Sequence, residues 1–273
     1  MTSRRAGSPL YRVQVLDRVA GILQVLADAP SALSPTDIAH QLSLHKSTIH
    51  RLLAALEQLG YLRKHPGDGK FTLGLKLFEF GSRAVAGLNL HDYGQPLVES
   101  LVTNTGETAH VCVMDEGHTV SVVIAESTRT VRTPATVGRR TPMHCTAVGK
   151  AILAHLPDEV RDAVLERYPL RRFTRRTLVT RSAVLGDLAR VRARGYAVDD
   201  EEIEEGLRCI GAAIRNHSGK VVAAVSIAGP AFRLSRKRIP VLARVVMNAA
   251  SRLSADLGYN PRRSATRAGP AAG

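Results

Sequence analysis

The chain of 273 residues contains no tryptophan, and aromatic residues make up only 4% of it. Its cores must therefore be built mainly from aliphatic side chains. The 3 cysteines are too few for a disulfide framework and are typical of a reducing compartment. No run approaches the 18 consecutive apolar residues that suggest a membrane-spanning helix. Residues 1–12 lack the apolar segment of a signal peptide, so we expect a soluble cytoplasmic protein.

Charge is the most unusual property of the composition. The net charge is +14, which favours a polyanionic partner, most often nucleic acid. Residues 1–80 hold 10 basic and 6 acidic side chains, whereas residues 181–273 hold 16 and 8. Charge alone therefore does not locate a binding site. We expect a flexible N-terminus over 1–11 and a disordered basic tail over 259–273, which is rich in proline, glycine and alanine.

The first 74 residues have the pattern of a winged helix-turn-helix. Apolar residues recur at helical spacing over 15–26, and Ser34-Pro35-Thr36-Asp37 is typical of the start of a second helix. A third helix is predicted over about 45–59. Two short strands then flank a turn at 66–69. Three helices followed by a hairpin indicate a winged helix-turn-helix domain over 12–74.

The third helix presents a polar face that suits the major groove of DNA. Short polar and basic groups at the start of a helix reach base edges and phosphates there. The candidate DNA-binding residues on this helix are Lys46, Ser47, Thr48, His50 and Arg51. The hairpin adds Arg63, Lys64 and Lys70 for the phosphate backbone. The alternative is that this face is only the solvated side of a helical bundle, and the basic hairpin favours DNA over it.

The rest of the chain alternates between strand and helix patterns. Residues 75–92 are predicted to form a linker helix. We interpret 93–258 as an α/β (α+β) domain. Its predicted strands are 109–114, 119–126, 207–216 and 221–228, and its predicted helices are 146–155, 158–167, 182–194 and 236–257.

Several motifs in one order resemble a known family. They are 42–53 (LSLHKSTIHRLL), 71–74 (FTLG), 105–110 (TGETAH), 137–151 (VGRRTPMHCTAVGKA), 194–202 (RGYAVDDEE), 206–209 (GLRC) and 224–230 (AVSIAGP). The chain resembles the IclR family of bacterial transcriptional regulators over about residues 10–258. Where that family usually has Pro or Ser at the start of the recognition helix, this chain has His45.

The resemblance implies that the second domain is a GAF-like domain that binds a small effector. The matching positions are Val137, Ala147, Val148, Gly149, Asp199, Leu207, Cys209, Ser226 and Ala228. Residues 147–149 lie near the start of a predicted helix, where free N–H groups favour a carboxylate. We therefore expect a small organic acid. Ala228 replaces a serine found in relatives that bind small keto acids, so the ligand is expected to be larger than glyoxylate or pyruvate, such as an aromatic or sugar-derived acid.

The resemblance also implies partners and a mode of assembly. One recognition helix covers only about half a turn of groove, so we expect a homodimer on a palindromic operator. The linker helix would join the two copies, and the family resemblance adds tetramers as pairs of dimers. The effector would alter operator affinity. The sequence leaves open whether the chain represses or activates.

Two other functions compete with regulation. One is a thiol hydrolase that uses Cys209 or Cys145 with His144 and Asp199, although His144 and Cys145 are adjacent and do not form an evident pair. The other is an architectural DNA-binding protein without a ligand. The cysteines and histidines lack the spacing of a metal site. We therefore expect no catalysis, metal or cofactor.

Overall fold

The computed structural model describes residues 13–86 and 90–260. The predicted segments 1–11 and 259–273 therefore lie almost wholly outside the described residues. The chain divides into two compact units after Ala84, and each unit is described by itself. None of the described helices has both the length and the apolar character needed to cross a membrane.

The first unit has the predicted order of three helices and a hairpin, which confirms the winged helix-turn-helix. Its elements are α1 (Gln14–Asp28), α2 (Pro35–Leu42), α3 (Lys46–Gln58), β1 (Leu62–Lys64), β2 (Phe71–Leu73) and α4 (Leu75–Ala86). The strands β1 and β2 are antiparallel. Ile22, Ile38 and Ile49, one from each of the first three helices, are fully buried in a common aliphatic core.

Local hydrogen bonds define the helix-turn-helix. The Asp37 N–H donates to Ser34 Oγ at 3.2 Å, and the Ser34 N–H donates to Asp37 Oδ2 at 3.1 Å, which forms a capping box at the start of α2. Helix α2 ends at Ser43, whose φ of 52° is left-handed. His45 precedes α3 without a capping side-chain hydrogen bond. The turn is therefore fixed from the α2 side.

The second unit is built on one antiparallel sheet of six strands. Its elements are α5 (Leu90–Thr105), β3 (Thr108–Asp115), β4 (His118–Ala125), β5 (Arg140–Pro142), α6 (Ala147–Leu153), α7 (Asp158–Arg167), α8 (Arg181–Arg194), β6 (Ala197–Asp200), β7 (Leu207–Arg215), β8 (Val221–Pro230) and α9 (Ile239–Asp256). The strand order is β5-β4-β3-β8-β7-β6, and each neighbouring pair is antiparallel.

Alternate residues of the strands face two different layers. Val111, Ile210 and Val225 belong to a core that also contains buried residues of α5 and α9. Cys112 and Ala224 belong to a second core with buried residues of α6 and α8. The sheet therefore has helices on both faces, and alternation along each strand decides which layer a residue joins.

Three elements of this unit were not predicted, namely α5, β5 and β6. Helix α4 ends at Ala86 and α5 begins at Leu90, and residues 87–89 between them lie outside the described part of the chain. The predicted linker helix over 75–92 therefore corresponds to α4 and the first turn of α5. The predicted start of the second domain at 93 lies within α5.

Candidate functional site

Helix α3 separates its apolar and polar residues onto opposite faces. Ile49, Leu53 and Leu56 are buried against the rest of the first unit. Of the predicted DNA-binding residues on this helix, Thr48 is half-buried, and the exposed ones are Lys46, Ser47, His50 and Arg51. The packing of the leucine face thus leaves a row of polar side chains at the start of α3 directed to solvent.

The hairpin places its basic residues in two settings. Arg63 and Lys64 are exposed on β1, and Lys64 lies over the ring of Phe71. Lys70 Nζ is 3.5 Å from Asp68 Oδ2, and the Lys70 N–H donates to Asp68 Oδ1 at 3.1 Å. These contacts lower the pKa of Asp68. Lys70 therefore helps to close the turn, while Arg63 and Lys64 are the freer cations of the wing.

A cavity of about 470 Å³ lies in the second unit, on the sheet face opposite α5 and α9. Seven of the nine predicted effector positions line it: Ala147, Val148, Asp199, Leu207, Cys209, Ser226 and Ala228. The sheet register explains this grouping, because Asp199 pairs with Cys209 and Cys209 pairs with Ala228. Three strands thus contribute neighbouring residues to one cavity floor.

The other two predicted positions, Val137 and Gly149, do not line the cavity. The Val137 side chain is 64% exposed, and Ile203 and Leu207 provide an apolar wall instead. A Cβ atom at Gly149 would lie 2.3 Å from the carbonyl oxygen of Met143, so close backbone packing requires glycine there. Gly149 is therefore a packing residue of α6 in this structure.

The start of α6 lies beside the cavity. Thr146 Oγ1 accepts the Gly149 N–H at 3.2 Å, so that amide is already used by the helix cap. The amides of Ala147 and Val148 belong to the first turn, where a helix has no internal acceptor for them. A Cβ atom at Gly211 would lie only 3.0 Å from the Ala147 carbonyl carbon, so the small residue on β7 lets α6 approach the sheet.

His110 on β3 is a polar residue of the cavity that the sequence reasoning did not select. Its Nε2 lies 2.9 Å from Ser226 Oγ. Burial, together with the positive charge of Arg139, lowers the pKa of His110 to about 4, so the ring is neutral near pH 7. Its Nδ1 is buried and has no hydrogen-bond partner among the described residues.

Asp199 on β6 is the second buried polar group of the cavity. Its Oδ1 accepts the Glu202 N–H at 2.7 Å. Burial raises the pKa of Asp199 to about 7 despite that hydrogen bond. Its Oδ2 has no hydrogen-bond partner within the described part of the chain. The cavity thus contains two buried polar atoms whose hydrogen-bonding capacity the protein itself does not use.

A buried ion cluster lies next to the cavity wall. Lys150 on α6 is 1% exposed, and its ammonium group contacts Glu202 and, at 2.8 Å, Asp187 of α8. Burial alone would lower the pKa of Lys150, but the two carboxylates raise it. The Glu202 carbonyl also accepts the Thr177 hydroxyl at 2.6 Å. These contacts fix the segment whose next residues, 203–207, line the cavity.

Comparison with known proteins decides the family. Residues 15–66 match the model of the IclR helix-turn-helix domain, and residues 82–255 match that of the bacterial transcriptional regulator IclR C-terminal domain. The chain belongs to the IclR family. Its members are DNA-binding transcriptional regulators with a C-terminal effector domain.

IclR-family relatives match this chain over nearly their whole length. The HTH-type transcriptional regulator XynR of Escherichia coli K12 is 34% identical over 90% of this chain and 98% of the relative, and KdgR of the same strain is 36% identical over 89% and 92%. The crystal structure of Thermotoga maritima IclR has 29% identity and a TM-score of 0.76, covering 90% of this chain and 99% of that one. An IclR homologue from Microbacterium hydrocarbonoxydans, crystallised with 4-hydroxybenzoate, has 27% identity and a TM-score of 0.79 over 89% and 99%.

The thiol chemistry that competed with the IclR assignment is not favoured. Burial raises the pKa of the Cys145 and Cys209 thiols, so neither is a ready thiolate near neutral pH. The His144 ring hydrogen-bonds the Arg171 carbonyl at 3.0 Å rather than a thiol. Within residues 13–86 and 90–260, no three His, Cys, Asp or Glu side chains group as they would around a metal ion.

Several IclR cavity residues were missed because no local motif marks them. The polar ones are His110, Ser121, Arg132, Thr133, Thr136, Arg139, Thr141 and Thr146. His110 had one available signal, since it is the ionisable residue in an otherwise β-rich apolar run over 109–114. The others come from loops and edge strands, and only the folded sheet brings them to the floor residues.

Proposed function

We propose that this IclR-family chain reads its operator through the polar face of α3 and the β1–β2 wing. The supporting observation is that Lys46, His50 and Arg51 are exposed and make no ion pair or hydrogen bond within the described residues. Side chains at the start of a recognition helix contact base edges, and wing cations such as Arg63 and Lys64 contact phosphates. Ser47 and Thr48 add hydroxyl groups to the same surface, and Lys70 supports the wing.

The test of this surface is Arg51→Ala. We expect it to weaken binding to the cognate operator by about 1–3 kcal/mol, the usual cost of losing a base-directed contact. The control is Lys220→Ala, which removes one positive charge from an exposed position in the second unit. Both are measured by gel shift at one salt concentration. Equal operator affinity in wild type and Arg51→Ala would remove Arg51 from the interface.

The operator is a palindrome read by two copies of the chain. Helix α4 supports pairing because Leu75 and Phe78, at helical spacing, are 83% and 72% exposed. A homodimer through this face, and a tetramer as a pair of dimers, follow from the family pattern. Selection of bound DNA from a random pool should enrich a palindrome. Equal affinity for all sequences would instead indicate an architectural DNA-binding protein.

A small organic acid in the cavity of the second unit modulates operator affinity. The unused polar atoms of His110 and Asp199 support a ligand there, as do the first-turn amides of α6. A ligand that prefers one conformation shifts the population and thereby changes DNA affinity. The IclR homologue that carries 4-hydroxybenzoate suggests an aromatic acid as the first probe.

Asp199→Ala tests this part of the function. We expect operator binding without ligand to remain at the wild-type level, because Asp199 lies in the effector unit. The response of a gel shift to the best acid found in a thermal-shift screen should be strongly reduced. A wild-type response in Asp199→Ala would show that the effector binds elsewhere.

A further inference from the structure

One cation in the segment 129–140 differs from its neighbours. Among the described residues, the other three arginines of this segment contact carboxylates, in the pairs Arg129–Glu107, Arg132–Glu126 and Arg140–Asp115. Arg139 lines the cavity and has no carboxylate partner there. Its charge lies close enough to His110 to affect that ring. The cavity therefore has one cationic end, marked by Arg139 and His110.

The opposite end of the cavity is a hydrogen-bond acceptor. Asp199 Oδ2 is fully buried and unpartnered, and Cys209 is its neighbour across the β6–β7 pair. Between the two ends the floor carries only the short side chains of Ser226, Ala228 and Cys209. The free volume is thus bounded by a positive group on one side and an unused acceptor on the other.

The sheet order sets the distance between these ends. His110 lies on β3 and Asp199 on β6, with β8 and β7 between them. Three strand spacings of about 4.8 Å separate their backbones by about 14 Å. Two hydrogen bonds of about 2.9 Å each leave roughly 8 Å for a ligand that contacts both ends. A two- or three-carbon acid is too short for that span.

We propose that the effector is a hydroxy acid of about six carbons in length, or an equivalent ring. Its carboxylate binds Arg139, and its distal hydroxyl donates to Asp199 Oδ2. When the Ser226 hydroxyl donates to His110 Nε2, the neutral ring carries its hydrogen on Nδ1 and provides a second donor to the carboxylate. This assignment rests on the proposed effector-binding function. It makes Arg139 a specificity-determining residue.

The test uses matched ligands on the full-length chain. Isothermal titration compares 6-hydroxyhexanoate with heptanoate, which has the same number of heavy atoms but a methyl group in place of the hydroxyl. We expect 6-hydroxyhexanoate to bind at least 10-fold more tightly, because heptanoate leaves the buried Asp199 oxygen unpaired. Equal affinity would overturn the hydroxyl assignment. Tighter binding of 6-aminohexanoate than of either acid would overturn it in favour of a cationic group.

Two variants locate the ends. Arg139→Ala should weaken both acids at least 10-fold while keeping their ratio. The control Arg140→Ala removes the adjacent arginine, which pairs with Asp115 outside the cavity, and should change neither affinity. Asp199→Asn keeps an oxygen for the Glu202 N–H but replaces Oδ2 by a donor, so it should abolish the preference for the hydroxyl. Unchanged binding in Arg139→Ala would overturn the carboxylate assignment.

The outcomes separate this inference from the proposed function. If acids bind the wild-type chain and alter operator affinity without regard to the hydroxyl or to Arg139, the hydroxy-acid inference fails and effector binding stands. If neither these acids nor any member of a wider acid panel binds, both fail.

Discussion

The polar side chains of α3 and those of the cavity differ in how the fold treats them. Arg51 and Lys46 are exposed and make no intramolecular hydrogen bond or ion pair in the described structure. Asp199 and His110 are buried, have shifted pKa values and each makes a hydrogen bond inside the protein. The α3 surface depends on the fold only for its orientation, whereas the cavity is part of a core.

This difference determines what substitutions report. Removing an exposed α3 side chain should change DNA affinity with little change in the free energy of unfolding. Removing a buried cavity group changes ligand affinity and stability together, because its partners are left unsatisfied. The two kinds of site can therefore be distinguished by measuring stability beside binding.

The largest expected effect is at Lys150, in the cluster beside the cavity wall. Lys150→Met should lower the free energy of unfolding of the second unit by about 3–5 kcal/mol, because Glu202 and Asp187 lose their shared cation while still buried. Scanning calorimetry measures this. Lys220→Met, at an exposed position, is the control and should leave the transition in place. A wild-type transition in Lys150→Met would mean that the cluster does not stabilise the wall.

Gly149→Ala should have the next largest effect. The added methyl group meets the Met143 backbone, which has little freedom to move, and overpacking of this kind costs about 1–3 kcal/mol. The matched control is Gly186→Ala in α8, where the methyl group meets only an arginine side chain at 3.9 Å. That variant should be neutral or gain up to about 1 kcal/mol from helix propensity. Urea titration of both variants compares them. Equal stability would contradict the packing role.

A smaller, pH-dependent effect is expected at Asp199. Its pKa is raised to about 7 in the folded chain from an ordinary 3.8, so the native state binds more protons between these values. Its contribution to stability therefore declines as pH rises from about 4 to 7. Asp199→Asn removes this decline, so the variant should gain stability relative to wild type between pH 5 and 8. A pH-independent difference in melting temperature would contradict the raised pKa. His110 has the opposite trend and cancels in the comparison.

The smallest effect should occur at the start of α2. Ser34→Ala removes the capping box and should cost the first unit about 1 kcal/mol. Thr36→Ala, at an exposed neighbouring position, is the control. In calorimetry the Ser34 shift should appear in a transition that Lys150→Met leaves unchanged. If both variants shifted one common transition, the two units would unfold together and the comparison between their sites would need to be made on the whole chain.

Local patterns were sufficient for the first unit. The Ser34–Asp37 cap, the leucine spacing of α3 and the Pro66–Gly69 turn each depend on residues close in sequence, and each was predicted. Such signals survive because a cap or a helix face is completed within a few residues.

The cavity was only partly predictable, since its residues meet through the sheet. Asp199, Cys209 and Ser226 were found through family motifs, but no pattern joins them to His110 on β3 or Arg139 beyond β4. Helix α5 was missed because Gly94 and Pro96 interrupt its pattern, although Pro96 lies inside the helix. Val137 was placed in the cavity by its motif, but the chain turns it to solvent.

The alternation of β7 and β8 has a practical consequence for redesign. Cys209, Ser226 and Ala228 face the cavity, while the residues between them, such as Ile210 and Ile227, belong to the core on the other side of the sheet. A library restricted to the cavity-facing positions can therefore vary ligand preference while leaving that core intact. The chain is in this respect suited to becoming a transcriptional biosensor whose analyte is chosen by the engineer.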